Sequence, residues 1–238
     1  MDSNMAAPSW QYDERAKAGV DYNNAKVASG YDEQHGRFRD FERDAQAVVQ
    51  LLDLKPEQTV IDLGCGTGAF VITAARSCRK VYAVDISQAM LDKCAEKARA
   101  AGLGNIETHC AGFLTYEHKG ALVNTVVSVA SLHHLPDFWK AVAFKRIYSM
   151  LKPGGKLFLF DIVFSFPVES YQSEFDSWIK GMRKRAGQAV AEESIIHIRD
   201  EYSTFDWILD GMMERTGFKI TQKFSNFPNS LTYICVRP

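Results

Sequence analysis

A chain of 238 residues suits one sizeable α/β domain, or a domain with a small covering segment, rather than two independent units. With 46% hydrophobic and 24% charged residues it has the balance of an ordinary globular protein, and a net charge of −1 argues against a surface built to grip phosphate backbones. No run of about 18 apolar residues exists, and the opening Met1-Asp2-Ser3-Asn4 lacks a basic segment followed by an apolar one, so neither membrane insertion nor a signal peptide is expected.

Residues 1–40 are polar and aromatic, with Trp10, Tyr12, Tyr22, Tyr31 and Phe38 set among charges. They are expected to form loosely helical segments that cover something. From Phe41 the apolar residues Ala45, Val48, Val49, Leu51 and Leu52 recur at helical spacing, and this helix ends before Pro56. A strict alternation follows. Strands are expected at Thr59–Leu63, Lys80–Val84, Asn105–Cys110, Thr125–Ala130 and Lys156–Val163, with helices at Ala69–Ser77, Gln88–Ala101 and about Asp137–Leu151 between them. Ser87 is placed to cap the second of these helices, and Pro153-Gly154-Gly155 to end the third. The expected fold is therefore α/β, a doubly wound and mostly parallel sheet with helices on both faces. Ligands of such sheets bind beyond the carboxyl ends of the strands. The only dense basic run, Lys180 to Arg185, reads as a solvated helix face.

Gly64, Gly66 and Gly68 follow the first strand and open the first helix after it. Glycines there allow a sharp turn and close approach of a ligand, and the helix N-terminus favours a carboxylate or phosphate. A purely structural turn would also use glycine. The second strand, however, ends at Asp85, an acid placed to accept ribose hydroxyls. Two ligands compete: a dinucleotide and S-adenosylmethionine. The spacing is GxGxG rather than GxGxxG, and Asp62 at the mouth of the loop would repel a pyrophosphate but attract an ammonium and a sulfonium. Asp62 could equally be a buried acid that holds loop amides.

Val60-Ile61-Asp62-Leu63-Gly64-Cys65-Gly66-Thr67-Gly68 resembles motif I of class I S-adenosylmethionine-dependent methyltransferases. Val84-Asp85-Ile86-Ser87, completed by Met90-Leu91, is similar to their second motif, and Leu151-Lys152-Pro153-Gly154-Gly155-Lys156 to the turn before their fifth strand. Ser131-Leu132-His133-His134-Leu135-Pro136-Asp137 resembles the small-molecule, quinone-biosynthesis-like branch. The resemblance implies a seven-stranded Rossmann-like sheet with an antiparallel last strand. It also implies an N-terminal lid over residues 1–40 and a methyltransferase domain over 41–238, with a helical insertion at about 165–204.

The cofactor implied is S-adenosyl-L-methionine, with S-adenosyl-L-homocysteine as product. Its expected contacts are Asp62, Gly64, Cys65, Gly66, Gly68, Asp85, Ile86 and Met90, with Ser128 and Val129 bordering the methionine part and Tyr22 and Tyr31 in the lid. Relatives commonly carry an acid after the third strand that binds the adenine amino group. Here that place reads Ala111-Gly112-Phe113, so Gly112 and the Phe113 ring are expected to make the base contacts.

Methyl transfer is an in-line displacement at a carbon already activated by a positive sulfur. Positioning can supply roughly 7–11 kcal/mol, so a base is optional. His133 and His134 are the base candidates, unless they cap the next helix or line the pocket wall; Asp161 is a weaker one. The expected acceptor is a small, partly apolar molecule. A nucleic-acid methyltransferase is the alternative, weakened because no N/D-P-P-Y motif follows the fourth strand. A non-catalytic cofactor-binding protein is another, and a dinucleotide oxidoreductase loses on Asp62 and spacing. The five cysteines are scattered, with no zinc-like spacing, which points to reduced thiols in a cytoplasmic protein and to no metal site.

Overall fold

The computed structural model describes residues 8–16, 18–37, 39–225 and 229–238; Phe38, expected in the aromatic N-terminal set, lies outside the described residues. Helices α1 (Ala25–Gly36) and α2 (Phe41–Leu52) precede the alternation of β1 (Thr59–Leu63), α3 (Ala69–Ala75), β2 (Lys80–Asp85), α4 (Gln88–Ala100) and β3 (Ile106–Cys110). Then come β4 (Val123–Val129), α5 (Asp137–Met150) and β5 (Leu151–Phe164). Helices α6 (Tyr171–Ala186) and α7 (Gln188–Asp200) make the insertion helical, and β6 (Thr204–Phe205), α8 (Asp206–Arg215), β7 (Lys219–Phe224) and β8 (Ser230–Val236) close the chain.

The sheet runs β3-β2-β1-β4-β5-β8-β7, and β8 is antiparallel to both β5 and β7. Beyond the seven expected strands, the two-residue β6 pairs with the end of β5. Strand β1 is the pivot: it pairs in parallel with β2 on one side and β4 on the other, so the strand order reverses there. All five of its residues are buried. Its side chains alternate between faces, Ile61 and Leu63 entering one core with α5 and α8, and Val60 entering the other with α2 and α3. This is why the run from Val60 to Leu63 is apolar apart from Asp62.

Several boundaries differ from the sequence reading by one or two residues, and β5 starts five residues earlier, at Leu151. Helix α3 stops at Ala75, two residues early. Pro153-Gly154-Gly155 lies inside β5 as an irregularity: Leu151 pairs with Val123 and Lys156 with Thr125, while Gly154 donates to Arg237 O at 2.7 Å. The last strand thus satisfies backbone groups that a free turn would leave to water. Asn124, just before, accepts from the Thr59 amide at 3.1 Å and anchors the start of β1.

The cofactor-loop glycines are not equivalent. Gly68, at φ +85°, would place a Cβ 2.4 Å from Cys94 Sγ, whereas Gly66, at φ +53°, would meet nothing within 4 Å. Both pay left-handed strain of about 1–2 kcal/mol when substituted, but only Gly68 adds overpacking, typically about 1–3 kcal/mol more. Gly68→Ala should therefore cost more unfolding free energy than Gly66→Ala in urea titrations. Equal losses would show that close packing against α4 is not what the third glycine provides.

Candidate active site

Beyond the carboxyl ends of β1 to β4 lies a cavity of about 290 Å³, near the lower end of the roughly 300–1,000 Å³ typical of small-molecule sites. Its floor is the glycine loop. Gly64, at φ +75°, presses against Ser131 so closely that a Cβ would come 2.2 Å from Ser131 Oγ. The Gly64 and Cys65 amides both donate to Val84 O, at 2.8 and 3.0 Å. The Gly66 amide donates to Asp85 Oδ2 at 2.8 Å, and the Ser87 amide to Asp85 Oδ1 at 2.8 Å. Burial raises the pKa of Asp85, and these two amides oppose the rise.

Asp62 is 2% exposed and its Oδ1 has no hydrogen-bond partner, although it lines the cavity. Burial, with Cys94 and Asp85 nearby, pushes its pKa well above the usual carboxylate range. An orphan carboxylate on the wall, an open cradle over Gly66 and the spare lone pairs of Asp85 fit a ligand with an ammonium, a sulfonium and ribose hydroxyls. The residues present therefore suit S-adenosylmethionine.

The cavity brings together Asp62, Gly64, Cys65, Gly66, Asp85, Ile86, Met90, Gly112, Phe113, Val129, Tyr22, Tyr31 and His134. Three expected site residues are placed off its wall. Gly68 caps α3 against Cys94, Ser128 points to Ser131 Oγ at 2.9 Å, and His133 is buried behind the wall. Cys65 stays a neutral thiol, its pKa raised by a hydrogen bond with the Cys94 thiol and by burial. Burial also lifts the phenol of Tyr31 to about 12 and that of Tyr22 well above the ordinary value, so both act as neutral donors.

Glu14 is the residue that sequence reasoning missed. It is 8% exposed and lines the cavity; its carboxylate accepts from the Leu114 amide at 3.0 Å and from Thr115 Oγ1 at 2.6 Å. An acid thus stands beside Gly112, brought from a hundred residues away, where no local motif marks it. Arg39, Phe41 and Phe160 were also not among the expected site residues. They line the cavity together, with the Arg39 guanidinium 5.3 Å from the Phe41 ring centre and 5.8 Å from that of Phe160.

The segment before α2 is fastened to loop after loop. Thr67 Oγ1 donates to Asp32 Oδ1 at 2.6 Å, Lys97 Nζ lies 2.5 Å from Asp32 Oδ2, and Ser87 Oγ donates to Tyr22 O at 2.8 Å. The Tyr22 ring meets the edge of Tyr31 and of His134, each with centroids 5.9 Å apart.

After β4 the chain turns sharply at Ala130, which adopts φ +52° without being glycine, and a single helical turn carries His133 and His134. His133 Nδ1 is 2.5 Å from Asp161 Oδ1 and its Nε2 3.2 Å from Glu201 Oε2. Burial works against protonation of His133, but these two carboxylates outweigh it and lift its pKa to about 9. His134 has the opposite environment: burial and the neighbouring His133 lower its pKa to about 4. Burial opposes ionisation of Glu201, yet His133 and His197 hold its carboxyl below the ordinary range.

A family model described as a methyltransferase domain matches residues 60–155. An uncharacterized methyltransferase of Geobacillus kaustophilus is 28% identical over 195 residues, covering 81% of this chain and 82% of that protein. The 23S rRNA (uracil(1939)-C(5))-methyltransferase RlmD of Alcanivorax borkumensis is 48% identical over 62 residues, which is 26% of this chain and 14% of that protein. A crystal structure of an S-adenosylmethionine-dependent methyltransferase from Clostridium acetobutylicum shares the fold, with a TM-score of 0.65, 14% identity, and coverage of 89% of this chain and 97% of that one. With Asp62, the glycine loop and Asp85 gathered at the switch point of this sheet, the chain is a class I S-adenosylmethionine-dependent methyltransferase.

Proposed function

We propose that the protein methylates a small, partly apolar molecule that enters beside the cofactor, under a lid formed by the N-terminal segment. The observation that carries this reading is the lining of the cavity. The segment supplies Glu14, Tyr22, Tyr31 and Arg39 to its lining, and Phe41, Val48, Leu51 and Phe160 add aromatic and aliphatic wall. A polynucleotide would need an open, basic channel.

When bound, the cofactor supplies a methyl group already activated by a positive sulfur. The chain's own residues position and enclose. Asp62 takes the ammonium side, where its unpartnered oxygen gains a charge partner. Asp85 accepts from the ribose hydroxyls while bracing the loop, and Phe113 flanks the adenine. Glu14 takes the part of the acid that relatives carry after the third strand, and receives the adenine amine. His134 and Tyr22 border the acceptor and hydrogen-bond it, while His133, behind the wall, holds the turn that presents His134. Covering the site excludes water and fixes the line of attack, the two requirements of this displacement.

The reading is tested by incubating the protein with methyl-labelled S-adenosylmethionine and, in parallel, a small-metabolite fraction and total RNA. Label should pass to the small-molecule fraction. Transfer to RNA instead, with binding that weakens steeply as salt rises, would overturn it.

Asp62→Asn separates stability from binding. A carboxyl whose pKa is raised in the folded protein stabilises fully below the unfolded value of about 3.9, and that contribution is lost as pH rises through the folded value. Relative to Asp62→Asn, the free wild type should therefore lose stability as pH climbs from about 4. At neutral pH the variant should be at least as stable in chemical denaturation, yet bind S-adenosylmethionine more weakly by calorimetry. A variant that is less stable and binds equally well would show that Asp62 serves the loop alone.

Glu14 is tested by ligand discrimination. Wild type should prefer S-adenosylhomocysteine over its 6-oxo analogue, S-inosylhomocysteine, by about tenfold, the worth of one charge-assisted hydrogen bond. Glu14→Ala should erase most of that preference. Undiminished discrimination would remove Glu14 from the adenine site.

A further inference from the structure

Independently of the methyl-transfer reading, we propose that His133, His134 and Glu201 bind a divalent transition-metal ion of the zinc type, behind the cavity wall. One ring nitrogen of each histidine and one carboxylate oxygen of Glu201 lie within 4.8 Å of one another. His133 Nε2 stands 3.2 Å from Glu201 Oε2, and His134 Nδ1 3.9 Å from Glu201 Oε1. Ligands at zinc-type bond lengths in a tetrahedral site are separated by about 3.3 Å, so a rotamer-scale contraction would close the set.

The second observation is an accounting of polar atoms. Glu201 Oε1 is buried with no hydrogen-bond partner, and His133 Nε2 makes no well-aligned hydrogen bond, having only Glu201 Oε2 at 3.2 Å; the two side chains are 0% and 2% exposed. Such orphans are costly unless something else satisfies them. Asp161 takes both the His133 backbone amide, at 3.1 Å through Oδ2, and the ring Nδ1. With Nδ1 held by Asp161, His133 turns Nε2 toward the Glu201 carboxylate, and His134 Nδ1 approaches the same carboxylate from the other side. A proton can bridge one such pair. An ion satisfies all three donors together.

The surroundings have the form of a metal site's outer layer. Asp161 orients His133 as carboxylates orient metal-bound imidazoles, and His197 Nδ1 bonds Glu201 Oε2. The Tyr202 amide donates to His133 O at 2.9 Å, tying the end of α7 to the turn after β4. Gly19 closes another side, since a Cβ there would lie 2.0 Å from Glu201 Oε1. Two imidazoles with one carboxylate suit zinc, cobalt or nickel rather than magnesium or calcium, which prefer oxygen donors. Sequence spacing hid the cluster, because Glu201 follows the histidine pair by more than sixty residues.

The test titrates Zn²⁺, and separately Co²⁺, into chelator-stripped and desalted full-length protein by calorimetry, with the melting temperature followed in parallel. The expected result is one equivalent bound per chain, a raised melting temperature, and visible cobalt absorption bands of a low-coordinate nitrogen–oxygen site. Asp161→Asn should weaken binding about 10–100-fold, as loss of an outer-layer partner does, and Glu201→Gln and His134→Ala should weaken it at least as much. Because Glu201 is buried and its variant could fail to fold, His134→Ala, at the partly exposed edge of the cluster, carries the test alone if need be. Absence of stoichiometric binding to the wild type would overturn the proposal and leave a proton-linked network. Undiminished binding in His134→Ala would also overturn it, by locating the ion elsewhere.

Discussion

The Asp85 carboxylate joins two loops that would otherwise move apart. One oxygen takes the Gly66 amide from the loop after β1, and the other takes the Ser87 amide from the turn after β2, both at 2.8 Å. Ser87 in turn caps α4 by accepting from the Met90 amide at 3.2 Å. One buried acid therefore sets the curvature of the glycine loop, the start of a helix and the polar face offered to a ligand. Removing it would leave amide donors unpaired, at a cost of about 1–3 kcal/mol for each buried group. The strand pairing supports this bridge from below, since Leu63 and Val84 lie in register and Val84 O receives the next two loop amides.

The N-terminal segment depends on that frame, because it binds loops rather than strands. Its fastenings differ in weight. The Lys97–Asp32 pair is 35% and 42% exposed, and pairs of that kind contribute only about 0.2–1 kcal/mol. The Glu14 contacts are buried and charge-assisted, so they dominate. The aromatic contacts among Tyr22, Tyr31 and His134 add area and shape. A segment held chiefly by one acid beside Leu114 and Thr115 and by rings at its other end can loosen without disturbing the sheet. That is the property a cover over a ligand needs.

What was legible in the sequence follows from how local each signal is. Strand β1, the glycine loop and Asp85 are read from neighbours within a few residues, and the structure has them where the spacing put them. The irregularity in β5 was not legible, because Gly154 is satisfied by Arg237, eighty-three residues away in sequence. Glu14 escaped for the same reason: Asp13-Glu14-Arg15 is an unremarkable polar stretch until Leu114 and Thr115 close on it. The missing acid at Gly112 was visible as an absence, yet nothing local said what would stand there. Gly112 leaves that room, since a Cβ there would fall 2.3 Å from Glu14 Oε2.

The histidine pair shows how one residue's difference in position divides roles. In a short helical turn, adjacent side chains diverge, so the same backbone sends His133 inward to Asp161 and Glu201 and His134 to the cavity wall. Ala130 makes this possible. Its left-handed backbone costs about 1–2 kcal/mol, and such strain persists only where surrounding contacts over-determine it. Here the Ala130 amide is held by Phe160 O at 2.7 Å, and Ser131 Oγ bonds back to Leu63 O at 3.1 Å, just before Gly64. The turn that bears the histidines is thereby tied to the loop that Asp85 shapes. Charge follows the same division: the carboxylates that favour a proton on His133 make His133 the neighbour that disfavours one on His134. The wall consequently presents a neutral imidazole next to two neutral phenols, with the Arg39 guanidinium also on the lining and Asp161 and Glu201 standing behind it.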